Sequence, residues 1–200
     1  MMKFTRILLV SLSLVIVSCS QQLSTEEYLQ SGQKMLADKK WKAAIIEFKN
    51  AVKQSPENAK ARALLGETYL NTFSSNAAIK ELKRAIELGY KNDSVILNLA
   101  KAYQQKNENQ TILNEIQVSD LQDTNTKANI YALRADALLK LNRIKEAKIE
   151  LDLAKTLDSN NIDVRLVWAS FENRNKDIDA QKEWLKPLLD NVDGIPDAWS

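Results

Sequence analysis

The sequence predicts an all-α protein built as an α-solenoid, in which antiparallel helix pairs stack one on another. Its composition argues against a β-sandwich or β-barrel, because the 200 residues contain only 4 Gly and 3 Pro, whereas average usage is about 7% and 5%. The chain is rich in Ala, Leu, Lys, Glu, Ile and Gln, which favour helix. The third observation is a repeat with a period of 34 residues, which is typical of stacked helix pairs.

Small and large apolar residues recur at this period and define five units: 25–58, 59–92, 93–127, 128–161 and 162–194. The first helix of each unit has a small residue at one position: Gly32, Gly66, Ala100, Ala135 and Ala169. The second helix has a large apolar residue at one position: Phe48, Leu82, Ile116, Leu151 and Leu185. Small residues let the helix backbones approach closely, and the large ones fill the space beside them. A single pair cannot bury its apolar face, so neighbouring units must stack.

The spacing resembles the tetratricopeptide repeat (TPR), in which an aromatic residue, Leu-Gly, Tyr, Ala, Phe and Pro recur in each unit. Residues 25–58 and 59–92 match it most closely. The resemblance implies a right-handed superhelix of TPR-type helix pairs. It assigns packing roles to Tyr28, Gly32, Ala44, Phe48, Ala51, Pro56, Leu65, Gly66, Tyr69, Ala78, Leu82, Ala85, Ala100, Tyr103, Ala135, Ala147, Leu151, Ala154 and Ala169. Pro56 should also end a second helix, because Pro cannot continue the hydrogen-bond ladder.

Two units depart from this pattern. In residues 93–127 the second helix begins near Gln110 and a polar stretch follows it, so we expect a shortened helix and a local change in stacking angle, with a domain boundary as the alternative. In residues 162–194, Pro187 should kink or shorten the second helix. Residues 195–200 resemble the start of a further first helix, so we expect the array to continue past Ser200.

The residue types that most catalytic and metal sites need are missing. The chain has no His and one Cys, which excludes His-based triads, imidazole metal ligands and internal disulfides. The sequence has no Gly-rich phosphate loop and no nucleophile elbow. Lys3 and Arg6 account for the formal net charge of +2, and without them basic and acidic residues balance. We therefore expect a protein that is not an enzyme and binds no cofactor, metal ion or nucleic acid.

Residues 1–18 have the features of an export signal. The segment up to Arg6 is basic, and an apolar run of 11 residues, Ile7 to Val17, follows it. Such a run fits the core of a signal peptide, because a transmembrane helix needs about 20 residues.

The end of this run resembles a bacterial lipobox. Ile16-Val17-Ser18 precedes Cys19, the only Cys of the chain. The resemblance implies cleavage before Cys19, acylation of this residue and a short tether over residues 19–24. Ser20 stands where many lipoproteins retained in the inner membrane carry Asp, so the resemblance indicates a lipid-anchored protein of the outer membrane that faces the periplasm. The alternative is a plain signal peptide with an incidental Cys.

The TPR resemblance also implies a concave face that binds protein partners. In TPR domains similar to this one, ligands contact positions two, five, six, nine, twelve and thirteen of each unit. Transferred to this sequence, these positions include Gln30, Gln33, Lys60, Glu67, Asn71, Asn98, Lys101, Gln105, Asn129, Asp136 and Lys140. The alternative is that these residues form only a solvated groove.

Two longer segments resemble one particular group of TPR proteins. Residues 61–103 and 132–147, together with the lipobox, resemble the TPR lipoproteins of the PEP-CTERM/exosortase system. That resemblance implies a lipid-anchored scaffold that binds proteins in exopolysaccharide production or export. A helper in outer-membrane or pilus assembly, or an accessory domain of an enzyme whose catalytic part follows Ser200, would have the same repeats.

Overall fold

The structure is a computed structural model that describes residues 23–190, which form ten α-helices and no β-strand. The helices are α1 (Thr25–Ala37), α2 (Trp41–Gln54), α3 (Ala59–Asn71), α4 (Ser75–Glu87), α5 (Asp93–Gln105), α6 (Asn109–Glu115), α7 (Thr124–Lys140), α8 (Ile144–Leu157), α9 (Ile162–Arg174) and α10 (Ile178–Asp190). A 3₁₀ turn, Val118–Asp120, lies between α6 and α7. The helices follow one another in antiparallel pairs, which confirms the predicted all-α solenoid.

The first helix of each pair begins after a polar residue whose side chain accepts a hydrogen bond from a backbone N–H three residues later. These caps are Ser24, Asn58, Asn92, Asp123 and Asn161. Each such cap satisfies an N–H that the helix leaves unpaired and contributes about 1 kcal/mol. The second helices α2, α4, α6 and α8 have no side-chain cap. The polar caps therefore fix where each pair begins.

The turn inside each pair uses one backbone conformation five times. One residue of each turn has a positive φ, between 54° and 61°: Lys39, Phe73, Asn107, Asn142 and Lys176. Asn tolerates this left-handed conformation, whereas a bulky residue there is an outlier whose backbone strain is on the order of 1–3 kcal/mol. Phe73 is the aromatic member of this set, and it is 81% exposed.

Contacts between helices give the array an inner and an outer face. The first helices α1, α3, α5, α7 and α9 each contact the next first helix along the stack. The second helices pack on their pair partner and on the first helix of the following pair, and within residues 23–190 they do not contact each other. The first helices are therefore closer together, so the stack curves with them on its inner face.

In the first two pairs, the two helices can pack closely only because the first helix has a glycine at the contact. A Cβ added to Gly32 would lie 2.5 Å from Cε1 of Phe48, and one added to Gly66 would lie 2.6 Å from Cγ of Leu82. Phe48 and Leu82 are fully buried, so neither the ring nor the isobutyl group has room to move away. The large side chain of the second helix rests directly on the backbone of the first.

Most residues with a predicted packing role are buried, and Tyr28 and Tyr69 are half-buried. Pro56 was wrongly assigned to the packing set, because it is exposed. It follows Ser55, the C-terminal cap of α2, where it ends the helix but fills no space in the core.

Two helix bounds differ from those expected. α7 begins at Thr124, one turn before the predicted start of a unit at residue 128, because Asp123 accepts the backbone N–H of Thr126 at 2.7 Å. α10 continues through Pro187 to Asp190, so the expected shortening is absent from the part of the chain that the structure describes. The predicted signal, Cys19 and residues 195–200 lie outside the described residues.

α6 has seven residues, half the length of α2, as the polar stretch after it predicts. The guanidinium of Arg134 on α7 supports its end by donating to the carbonyl oxygens of Leu113 and Ile116, at 3.2 and 3.1 Å. The same guanidinium donates to Oε1 of Glu150 on α8, at 3.0 Å from Nε and 2.8 Å from Nη2. One arginine thus replaces the hydrogen bonds that a further turn of α6 would have provided.

Candidate partner-binding groove

Two adjoining depressions on the inner face form a continuous groove, called the inner groove below. The first depression, of about 380 Å³, lies between α3 and α5 and is lined by Glu67, Leu70, Asn71, Phe73, Asn98, Lys101 and Gln105. The second, of about 330 Å³, crosses α5, α7 and α9 and is lined by Lys101, Gln104, Gln105, Ala132, Leu133, Asp136, Asp163, Leu166, Val167 and Ser170. The depressions share Lys101 and Gln105, so the groove follows the row of first helices.

Two charged groups in the first depression have no partner within residues 23–190. Lys101 and Glu67 are both half-buried residues, and neither the ammonium nor the carboxylate makes a hydrogen bond or ion pair there. Burial raises the pKa of the Glu67 carboxyl above its ordinary value of 4.5, because desolvation disfavours the charged form. Both groups are therefore available to charges that a ligand would bring.

In the second depression the charged groups are partly paired. Oδ2 of Asp136 accepts from Nε2 of Gln104 at 2.9 Å and from Nζ of Lys140 at 2.8 Å. Gln105 is held by Ser75, whose hydroxyl donates to it at 2.7 Å, and it donates to the carbonyl oxygen of Leu70 at 3.3 Å. These bonds tie α5 to its neighbours on both sides and fix the shape of the groove.

Of the predicted partner-binding residues, Glu67, Asn71, Asn98, Lys101, Gln105 and Asp136 line the inner groove. Lys140 stands beside it through its ion pair with Asp136. Gln30, Gln33 and Lys60 are exposed on α1 and α3 but line neither depression. Asn129 was wrongly expected at the surface, because it is 8% exposed, and its Nδ2 donates to Asn125 at 3.1 Å on the same helix.

The apolar residues of the groove were not among the predicted set. Leu70, Leu133, Leu166 and Val167 line it, and each occupies one of the ligand-contacting positions within its unit. These residues could have been found in the sequence by taking the apolar as well as the polar residues at the ligand-contacting positions. Phe73 lies in the turn after α3, outside that pattern, and a comparison of the five turn residues is what identifies it.

The described residues contain no group of three or more His, Cys, Asp or Glu side chains that could hold a metal ion. Within residues 23–190 no helix combines the length and the apolar character needed to cross a membrane. The inner groove combines amide groups, unpaired charges and apolar side chains, a mixture that is also found at protein–protein interfaces.

Replacing Glu67 by Gln is expected to raise the melting temperature at pH 7. Glu67 binds its proton more tightly in the folded than in the unfolded chain, so its contribution to stability is greatest below pH 4.5 and is lost as the pH rises through the higher folded pKa. Thermal unfolding of Glu67→Gln should therefore match the unchanged chain well below pH 4.5 and exceed it at pH 7. Glu183→Gln, at an exposed position of α10, is the control, and an equal gain in both variants at pH 7 would contradict the effect of burial.

Two segments of the chain match models of the tetratricopeptide repeat, residues 35–87 and residues 128–161. No curated protein sequence matches the chain. Among solved structures, a thermophilic TPR protein of Thermus thermophilus is 17% identical with a TM-score of 0.62, and the match covers 84% of this chain and 92% of that one. PilF of Pseudomonas aeruginosa is 17% identical with a TM-score of 0.65, covering 86% and 78%.

MamA of Desulfovibrio magneticus RS-1 is 12% identical with a TM-score of 0.67, and the match covers 85% of this chain and 97% of that one. These similarities concern the fold. The second family match spans the same residues as the fourth predicted unit. The first begins in the last turn of α1 and covers α2, α3 and α4. The chain therefore carries tetratricopeptide repeats and folds as a TPR α-solenoid, a fold whose members generally act as non-catalytic scaffolds that bind proteins.

Proposed function

We propose that this chain is a lipid-anchored scaffold of the bacterial cell envelope that binds protein partners in its inner groove, in exopolysaccharide production or export linked to PEP-CTERM sorting. The observation that carries the binding role is the inner groove itself, a continuous depression across α3, α5, α7 and α9. The sequence of the lipobox supports the anchor. The resemblance of residues 61–103 and 132–147 to the exosortase-linked lipoproteins supports the setting.

The groove suits a partner segment that runs along the stack. Leu133, Leu166 and Val167 give its second depression an apolar floor. Asp136 and Asp163 stand at its polar edge, and Asp163 has no partner among residues 23–190. Apolar contacts supply affinity and the polar groups set the register of the segment, which is how mixed interfaces of this kind discriminate between partners.

A pull-down from a cell-envelope extract tests the binding role. The chain should recover envelope proteins, and Leu166→Glu should lose them, because it places a charge on the apolar floor of the groove. Ile162→Glu is the matched control: it lies on the same helix and is 61% exposed, but it does not line the groove. Equal recovery by both variants, or no envelope protein at all, would argue against the scaffold.

The neighbouring genes test the setting. Polysaccharide and exosortase genes beside this one support the role in exopolysaccharide production. Genes for pilus or β-barrel assembly would instead assign the scaffold to outer-membrane or pilus assembly, the alternative that the repeats alone also fit.

The anchor gives a separate prediction. Cys19→Ser is expected to move the protein from the membrane fraction to the soluble periplasm, because each acyl CH₂ buried in a bilayer contributes about 0.8 kcal/mol and this variant has no sulfur to acylate. Cell fractionation followed by immunoblotting measures the shift. Ser20→Asp is the matched change next to it, which should keep the protein on the membrane but redirect it to the inner one. A Cys19→Ser protein that stays wholly on the membrane would rule out the lipid anchor.

A further inference from the structure

Both the backbone conformation and the exposure of Phe73 are energetically unfavourable in the isolated chain. Its φ of 54° is one that bulky side chains rarely adopt, and its aromatic ring is left almost wholly in water, at 81% exposure. The equivalent turns hold Lys39, Asn107, Asn142 and Lys176. Since these residues satisfy the same turn, the fold does not require an aromatic residue at this position.

The surroundings of Phe73 supply what a ligand would need. Phe73 lines the first depression of the inner groove together with Leu70, which is 8% exposed and adds a small apolar surface. The same depression holds one cation, Lys101, and one carboxylate, Glu67, which pair neither with each other nor with any other group of residues 23–190. The amide of Asn98, also without a side-chain hydrogen bond in those residues, can both donate to and accept from a peptide backbone.

We propose that Phe73 anchors a polypeptide segment of a partner protein in the first depression. The segment places an apolar side chain against Phe73 and Leu70, an acidic side chain on Lys101 and a basic side chain on Glu67. Charge complementarity selects this occupant, because a purely acidic or purely basic segment would leave one of the two half-buried charges opposed by a like charge. The inference rests on the proposed binding function and specifies the partner chemistry of one part of the groove.

If Phe73 served only the fold, replacing it would lower the melting temperature. A binding role predicts that stability is kept or increased, for two reasons. A side chain with four-fifths of its surface exposed adds little to the core. Asn is the residue that the fold uses in the same conformation at positions 107 and 142. Phe73→Asn should therefore keep or raise the melting temperature, while it removes the anchor.

The test uses the purified chain and a displayed library of random short peptides as the probe. The unchanged chain should select peptides that combine an acidic, a basic and an apolar residue in a fixed order. Phe73→Asn should bind the selected peptides at least about tenfold more weakly, as expected for the loss of an aromatic anchor. Lys101→Glu should select peptides with a basic residue in place of the acidic one. Ile149→Asn, an exposed position of α8 outside the groove at 62% exposure, is the matched control and should bind like the unchanged chain.

The outcomes separate this inference from the broader function. If Phe73→Asn and Lys101→Glu bind the selected peptides as tightly as the unchanged chain does, the docking site at Phe73 is wrong, while recovery of envelope proteins that depends on Leu166 leaves the scaffold standing. A Phe73→Asn variant that melts well below the unchanged chain would show that the ring serves the fold, and would also overturn the inference. A chain that selects no peptide and recovers no envelope protein contradicts both.

Discussion

Gly66→Leu is expected to destabilise the array by about 3 kcal/mol, at the upper end of the usual penalty for overpacking. Even the first atom of a new side chain would lie 2.6 Å from Cγ of Leu82 and 3.3 Å from the carbonyl oxygen of Ala78. Leu82 is fully buried, so relief requires α3 and α4 to move apart. Equilibrium unfolding in urea, followed by circular dichroism, measures the loss.

Two further variants identify the cause of this loss. Gly89→Asn is the comparison variant, because an added Cβ at Gly89 meets nothing within 4 Å, so this change adds only the backbone strain of a non-glycine residue at a φ of 87°. The double variant Gly66→Leu, Leu82→Ala should lose less stability than the two single variants together, since the smaller side chain at position 82 leaves room for the new side chain at position 66. Unfolding of Gly66→Leu at the same urea concentration as the unchanged chain would contradict the close contact.

Arg134→Ala is expected to cost about 3 kcal/mol, the lower end of the range for removing one member of a buried ion pair, because this pair is partly buried. The side chains of Arg134 and Glu150 are only 19% and 14% exposed. The change leaves the Glu150 carboxylate buried without a counter-charge and leaves the carbonyl oxygens of Leu113 and Ile116 without their donor. The same urea unfolding experiment measures the cost, and hydrogen exchange should show that the amides of α6 lose protection first.

An exposed arginine on the next helix boundary provides the comparison. Arg143 donates to Glu146 at 2.8 Å, but the two side chains are 41% and 54% exposed, so Arg143→Ala should change stability by less than about 1 kcal/mol. Replacing Arg134 by Met and Glu150 by Leu together should recover the part of the loss that comes from the unpaired charge, while the carbonyl oxygens of Leu113 and Ile116 still lack their donor. Equal effects of Arg134→Ala and Arg143→Ala would show that the buried pair has no special weight.

The fold could be predicted because its contacts are local and repeated. The residues that meet in each pair, such as Gly66 and Leu82, lie within one unit, so the same contact recurs at the same spacing along the chain. Period and residue size together therefore predict stacked helix pairs. Asp123 illustrates the limit: a single cap extends α7 by one turn, and the repeat pattern carries no information about it.

The Arg134 interactions could not be predicted from the sequence. Arg134 meets carbonyl oxygens of α6 and a carboxylate of α8, and this convergence exists because α6 ends early. Other arginines and glutamates in the chain have similar neighbours in sequence, and only the packing of three helices selects this pair.

The inner groove was partly predictable. Its polar residues follow from positions that repeat along the first helices, so Asn98, Lys101 and Asp136 were identified. The same positions on α1 line neither depression, because α1 is in only slight contact with α3, whereas α3, α5, α7 and α9 contact one another more extensively. Phe73 was missed because its importance lies in a backbone conformation, which residue spacing alone does not reveal.

The contact pattern of the stack has a mechanical consequence. Each helix pair contacts only the neighbouring pairs. A load applied along the array therefore passes through the junctions between pairs in series, and the most compliant junction takes up most of the extension. The junction around α6 has the shortest helix of the described residues, and the side chain of Arg134 joins the end of that helix to α7. We expect bending to concentrate at this junction, because the short α6 has the fewest helix hydrogen bonds to resist it, while the pairs on either side keep their internal packing.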